Sequence, residues 1–252
     1  MKTIHRNTLF PLFIVVLLFF SCKTETPQNT SISVLIDVTD ERFKDENFID
    51  ENLPKFLSLM KLDKESGGYS GGEIKLSLIN EVSDSKSKTI KIAVGENGML
   101  GENPLNRRDD IKRFYNEVEQ SFTSILGKAD WGTNASKIYQ KVTRECIKMH
   151  RTEADRKYLI IYSDMLENSS LFSFYGQNWK KQIEKMMTEP EETIELLAKK
   201  GPSLPDLSDF VIYIIATRTS GNDEKINLCE QFWTTLFEFQ GASVTFNSGL
   251  EI

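Results

Sequence analysis

The chain predicts an α/β fold: a doubly wound, mostly parallel six-stranded sheet with one antiparallel hairpin strand and helices on both faces. Three observations carry this. Near-continuous apolar runs at 31–38, 158–163 and 210–217 have the pattern of strands covered on both faces. Segments with apolar residues at helical spacing alternate with them, the mark of a layered α/β protein. Two further strand-like segments, 73–82 and 89–94, are separated only by a polar turn, which leaves room for a hairpin but not for a helix.

Taken in order, 31–38 is the first strand. Asn52 suits the cap of the next helix, with Pro54 in its first turn, and Leu53, Phe56, Leu57 and Met60 on one face. Gly67-Gly68 and Gly71-Gly72 mark a loop before the hairpin, and 95–106 reads as a second loop. A long helix follows over 107–126, with Ile111, Phe114, Tyr115, Val118, Phe122, Ile125 and Leu126 inward. Another covers 133–149, with Ala135, Ile138, Tyr139, Val142, Cys146 and Met149 inward. The strand at 158–163 comes next. The region 167–207 is the least regular, with two short helices broken near Pro190. A strand at 210–217, a helix at 222–239 and a strand at 242–248 complete six strands and about six helices.

The N-terminus reads as a processing signal. Lys2, His5 and Arg6 precede an apolar run at 9–20 interrupted by Pro11. That run is shorter than the roughly 20 residues that span a bilayer and fits a signal peptide. It ends Leu18-Phe19-Phe20-Ser21-Cys22, which resembles a bacterial lipobox, although Phe19 and Phe20 are bulkier than that pattern. The expected organisation is a lipoprotein signal peptide at 1–21, a polar tether at 22–30 beginning at lipidated Cys22, and one domain at 31–252. Localisation follows as the bacterial cell envelope, held to a membrane through the N-terminal lipid.

Composition narrows the function. Removing the signal, which carries Lys2 and Arg6 and no acid, takes the net charge from −6 to −8. So acidic a chain is a poor partner for nucleic acid. With Cys22 lipidated, only Cys146 and Cys229 remain, both at apolar helix positions. They read as buried thiols rather than a disulfide, and their spacing fits no zinc signature. His150 is then the sole histidine, which argues against His-based triads and His-ligated zinc.

Three separated segments carry the chemistry. Leu35-Ile36-Asp37-Val38-Thr39-Asp40-Glu41 is a strand running into oxygen ligands. Trp131-Gly132-Thr133-Asn134 precedes a helix, and Leu159-Ile160-Ile161-Tyr162-Ser163-Asp164 is a strand ending in a carboxylate. Hard cations such as Mg²⁺ are held by carboxylate, hydroxyl and water oxygens, and open α/β sheets bind ligands at strand carboxyl ends. Each residue also has a plainer use. Asp37 and Thr39 suit a turn, Thr133 a helix N-cap, and Asp164 a helix start. The joint arrangement favours a metal.

The pattern resembles the metal-ion-dependent adhesion site of von Willebrand factor type A domains. That family has Asp-x-Ser-x-Ser after its first strand, a Thr in a later loop and an Asp after its fourth strand. Asp37, Thr39, Thr133 and Asp164 match, with Thr39 for Ser, and Glu41 departs from the pattern. Glu41 could ligate the ion, occupy the position a partner needs, or face solvent. The resemblance implies a three-layer, Rossmann-like sandwich over about 31–252. It also implies a Mg²⁺ or Mn²⁺ site formed by Asp37, Thr39, Glu41, Thr133 and Asp164, completed by a carboxylate from a protein partner. The nearby Leu171-Phe172-Ser173-Phe174-Tyr175 and Trp179 are read as anchoring the following helix rather than as a recognition patch.

Enzyme signatures are absent. The Gly-rich 66–72 stretch lacks the Lys of a phosphate loop. Position 39 is Thr where a haloacid-dehalogenase-like phosphatase needs a second Asp, and there is no Gly-x-Ser-x-Gly elbow. The expected function is metal-dependent protein binding by a lipid-anchored domain. The alternatives are a metal-free structural module of an envelope, secretion or conjugation complex, and a metal-dependent hydrolase.

Overall fold

The computed structural model describes residues 26–45, 47–64, 68–80, 87–96, 101–132, 137–216 and 223–251. The signal peptide, Cys22 and Thr133–Asn134 lie outside them. Six strands form one sheet: β1 (Asn29–Asp37), β2 (Gly71–Ile79), β3 (Lys88–Ile92), β4 (Arg156–Tyr162), β5 (Phe210–Ile215) and β6 (Ser243–Asn247). Their order is β3-β2-β1-β4-β5-β6. All neighbours are parallel except β2 and β3, which form the expected antiparallel hairpin. The helices are α1 (Phe48–Leu59), α2 (Pro104–Leu126), α3 (Ile138–His150), α4 (Trp179–Thr188), α5 (Pro190–Lys200) and α6 (Asp223–Phe239).

Side-chain alternation along each strand divides the core in two. Ile32, Val34 and Ile36 of β1 join Tyr158, Ile160 and Tyr162 of β4 under α1 and α2. Leu35, Leu159, Ile161, Ile212 and Ile214 face the other way, under α3 to α6. Burial on both faces explains why these strands read as continuous apolar runs. The connections reverse direction between β1 and β4, so the sheet's topological switch point falls there. A doubly wound sheet opens its ligand crevice outside the strand carboxyl ends at that point.

Several expected boundaries move, each for a tertiary reason. β1 begins at Asn29 rather than 31, because Asn29 and Thr30 pair with Gly71 and Gly72. Those glycines are therefore the start of β2 and not a loop. Gly72 has φ +141°, and a Cβ placed on it would lie 1.8 Å from the Thr30 carbonyl oxygen, so only glycine permits this approach. α1 starts at Phe48, ahead of Asn52, and Pro54 lies inside it. Asn52 caps nothing. It is buried, donates from Nδ2 to Phe48 O (2.8 Å) and accepts from Tyr162 Oη (2.8 Å). Phe48 packs edge-on against the same Tyr162 ring, 4.8 Å between centroids, which draws the helix start forward. α2 begins at Pro104, not 107, since Asn103 Oδ1 accepts from Leu105 N (2.9 Å) and Pro suits the first helical turn. The described part of the helix expected at 133–149 begins at Ile138.

One polar cluster interrupts the α3 side of the sheet. Glu145 on α3 accepts from Ser33 Oγ (2.8 Å) and from Lys75 Nζ at both oxygens (2.7 and 2.6 Å). The Glu145 side chain is 3% exposed and that of Lys75 15%. Removing one partner strands the other charge away from water. Glu145→Ala should therefore cost ~3–5 kcal/mol of unfolding free energy. The double variant Glu145→Leu with Lys75→Met should recover most of that loss in denaturant titrations.

Candidate functional site

The candidate site is built where β1 and β4 end side by side. Ile36 is in register with Tyr162, so the next residues, Asp37 and Ser163, face each other. Asp37 is 1% exposed. Its Oδ1 accepts from Thr39 N (3.0 Å) and Thr39 Oγ1 (2.7 Å), and its Oδ2 accepts from Ser163 Oγ (2.8 Å). A buried carboxylate needs such donors to offset desolvation. The Asp37–Thr39 pair thus forms the local turn its residue types allow. That turn opens at the carboxyl end of the sheet.

Asp164 follows Ser163 and is half-buried. Its Oδ1 accepts from Leu166 N (2.9 Å). Burial raises its pKa, and the charges of Asp37 and Asp40 raise it further, against the Leu166 N–H and the Arg42 guanidinium. The backbone after it is unusual: Met165 has φ +60°, a left-handed conformation rare outside glycine. Its carbonyl accepts from Trp233 Nε1 (2.8 Å) and Cys229 Sγ (3.1 Å) on α6, and its N–H donates to Ser163 Oγ (2.9 Å). These contacts hold the turn that presents Asp164. Cys146 and Cys229 are both buried free thiols.

The third segment approaches the same end. Gly132 N donates to Val38 O (2.8 Å). Gly132 has φ +78°, and a Cβ on it would lie 2.8 Å from Glu41 Oε1. Glu41 is exposed, opens a short 3₁₀ turn over Glu41–Phe43, and reaches toward this glycine. Thr133, the next residue, lies outside the described residues. Asp40 caps the 3₁₀ turn at Arg42 N (3.1 Å) and pairs with the Arg42 guanidinium, Nε to Oδ1 at 2.7 Å.

The donor set can be weighed directly. Among the described residues no three His, Cys, Asp or Glu side chains are gathered closely enough to hold a metal ion. Asp37 and Asp164 bring carboxylates, and Thr39 and Ser163 bring hydroxyls. An oxygen-only set with two carboxylates fits an ion that keeps several waters, Mg²⁺ or Mn²⁺ in preference to Zn²⁺. The positive charge of Arg42 beside Asp164 opposes a cation and tempers that fit.

Two contributors escaped the sequence reading. Ser163 was visible as a polar residue ending an apolar strand, but only sheet register joins it to Asp37. Glu167 is fully buried, and its Oε2 accepts from Tyr139 N (2.8 Å), capping the first turn of α3. In the aromatic stretch Phe174 packs against Trp179 at the start of α4, 6.1 Å between centroids, the anchoring expected, and Phe172 and Phe174 also pack against Phe232 of α6, at 5.0 and 5.9 Å. Tyr175 instead turns outward at the rim, where Lys225 Nζ lies 4.7 Å from its ring and 5.3 Å from that of Trp179. Asp164 and Asp37 both raise the Tyr175 pKa, after burial.

Burial pushes the Glu167 carboxyl up from its ordinary 4.5 to about 7, against the N–H groups of α3 and the Ser169 hydroxyl. The folded state then holds a proton that the unfolded chain releases. Its stabilising effect is complete below about pH 4.5 and is lost as pH rises through about 7. Wild type should lose up to ~1.4 kcal/mol per pH unit across this window relative to Glu167→Gln, which keeps an acceptor for Tyr139 N. Denaturant titrations of both proteins between pH 4 and 8 measure the difference, and parallel curves would refute it.

No family model matches the chain, and no curated protein matches it. Solved structures offer distant likenesses. The PilB minor pilin from Streptococcus sanguinis is 13% identical with a TM-score of 0.42, over 89% of this chain and 58% of that one. The vWF domain of the type V pili tip protein Mfa5 from Porphyromonas gingivalis is 9% identical with a TM-score of 0.39, over 88% of this chain and 91% of that one. Manganese-loaded Plasmodium vivax TRAP protein is 12% identical with a TM-score of 0.30, over 80% of this chain and 62% of that one. This chain spans less than two thirds of the pilin's length.

Proposed function

We propose that this chain is a membrane-anchored lipoprotein whose domain binds Mg²⁺ or Mn²⁺ at the β1/β4 switch point and uses it to bind a protein partner. The observation that carries this is the juxtaposition of Asp37 and Asp164 beside the hydroxyls of Thr39 and Ser163 at the sheet's carboxyl end. Burial, and then the charges of Asp37 and Asp40, raise the proton affinity of Asp164, which is the electrostatic condition a cation relieves. Asp37, Thr39 and Asp164, with Thr133 and Glu41 as the further family positions, would hold the ion. The ion supplies an open coordination position to a partner carboxylate. Tyr175, Trp179 and Lys225 rim the site and would meet the same partner.

One observation favours the metal-free module instead. Both Asp37 oxygens already accept hydrogen bonds from the protein, so the arrangement is self-consistent without an ion. No comparable observation among the described residues supports the hydrolase reading.

Titration calorimetry with Mg²⁺ and Mn²⁺ separates the two leading readings. Binding heat is expected, with a rise in melting temperature equivalent to ~2.7 kcal/mol when the ion reaches about 100 times its Kd. Asp164→Asn should abolish both while leaving the fold intact. Asp37→Ala is a poorer probe, because it also strips three hydrogen bonds from Thr39 and Ser163. No heat and no stabilisation would leave the metal-free module standing. Anchoring is tested separately. Cys22→Ser should eliminate incorporation of labelled fatty acid, and undiminished labelling would refute the lipoprotein assignment.

A further inference from the structure

We infer that the amino end of the sheet is a membrane-seating surface that holds the candidate site pointing away from the bilayer. This rests on the reading of Cys22 as a lipid anchor. The described chain enters the domain at that end, where Gln28 N donates to Ser70 Oγ (3.1 Å) and Gln28 O accepts from Gly71 N (2.8 Å). From Asn29 the nine residues of β1 run straight to Asp37, a rise of ~26 Å at about 3.3 Å per residue. The site and the point of attachment are therefore at opposite ends of one strand.

Exposed apolar side chains gather at the attachment end. Among the described residues the large ones are Val94 (44% exposed), Leu105 (66%), Tyr175, Leu196 and Phe239 (48%). Tyr175 is at the site rim and Leu196 on α5. The other three are all at the amino end, and hydrogen bonds fix them there. Val94 follows β3, whose Ile92 pairs with Gly72, and Gly95 N donates to Tyr69 O (2.8 Å). Leu105 is in the first turn of α2, which Arg107 ties down by donating to Gly68 O (2.8 Å), Ala93 O (2.9 Å) and Ser70 O. Phe239 ends α6, and Gln240 O accepts from Leu207 N (2.8 Å) just before β5.

Their placement matters more than their number. β1, which carries the tether, is third of the six strands. Val94 and Leu105 lie toward its β3 side, and Phe239 toward its β6 side on the opposite face of the sheet. Three apolar contacts around a central tether define a plane and so fix an orientation, which one patch could not. Six steps of chain separate Cys22 from the tied-down Gln28, a reach of at most ~22 Å even if fully extended. That keeps this end close to the bilayer at high effective concentration, so weak individual contacts suffice. Charge at this end is mixed, with Lys148, Arg151 and Arg156 beside Glu153, Asp155 and Asp209, all exposed. The fitting partner is therefore the apolar–headgroup boundary of any bilayer, not an anionic lipid.

The test uses the full lipidated chain in phosphatidylcholine vesicles carrying a lipid-borne quencher. Variants that each add one exposed cysteine, Leu105→Cys, Phe239→Cys and Tyr175→Cys, are labelled with an environment-sensitive fluorophore, since the native Cys146 and Cys229 are buried. Quenching is expected at 105 and 239 and not at 175, unchanged by salt or added anionic lipid. In a Val94→Ser, Leu105→Ser, Phe239→Cys variant, quenching at 239 should fall sharply. Equal quenching at all three sites, or none at 105 and 239, would overturn the inference. The mass of the N-terminal peptide from the same sample reports whether Cys22 is acylated. An acylated protein with the wrong quenching pattern refutes the seating alone, and an unacylated one refutes the anchor reading and the seating with it.

Discussion

The carboxylate of Asp37 is the contact on which the end of this sheet depends. It sits at the switch point, fully desolvated, and takes donors from its own turn and from the end of the neighbouring strand. Ser163 then passes the constraint on. Its hydroxyl donates to Asp37 and accepts from Met165 N, and the Met165 carbonyl is held by Trp233 and Cys229. A charge buried at β1 thereby fixes a left-handed residue after β4, and α6 locks it from outside. Such conformations persist only where the surroundings over-determine them.

This explains the electrostatic character of the crevice. Asp37, Asp40 and Asp164 concentrate negative charge, and Arg42 answers part of it while already paired to Asp40. At the rim, Lys225 lies over two aromatic faces, where ring quadrupoles attract cations. The site is thus acidic at its floor and cationic and aromatic at its edge. A carboxylate ligand would meet repulsion at the floor unless a cation intervened, and attraction at the edge in either case.

Much of the architecture was legible because it depends on local periodicity. Buried strands read as apolar runs, α2 as a long amphipathic helix, and the break between α4 and α5 as Pro190. What escaped depends on partners distant in sequence. Asn52 looks like a cap until Tyr162, 110 positions later, supplies its donor. Gly71-Gly72 looks like a loop until β1 closes against it. Asp37 and Asp164 could be read as strand-end oxygens, whereas Ser163 and Glu167 acquire roles only through register and helix packing. Asx and N-cap chemistry is local and ambiguous, so Asp37 and Thr39 carry the same signature whether they simply close a turn or also face an ion.

The pair between Glu145 and Lys75 has a meaning for strand alignment. Side chains alternate faces along β2, so sliding it by one residue against β1 would rotate Lys75 to the side of Ile32, Val34 and Phe56. The same slip would bring Ile74 or Leu76 opposite Glu145. One misalignment would thus place an ammonium group in the oiliest layer of the molecule and leave a carboxylate facing hydrocarbon. Glu73 lies on the same face of β2 as Lys75, so the slip would misplace both charged positions, and the buried pair acts as a checksum on how the chain is threaded.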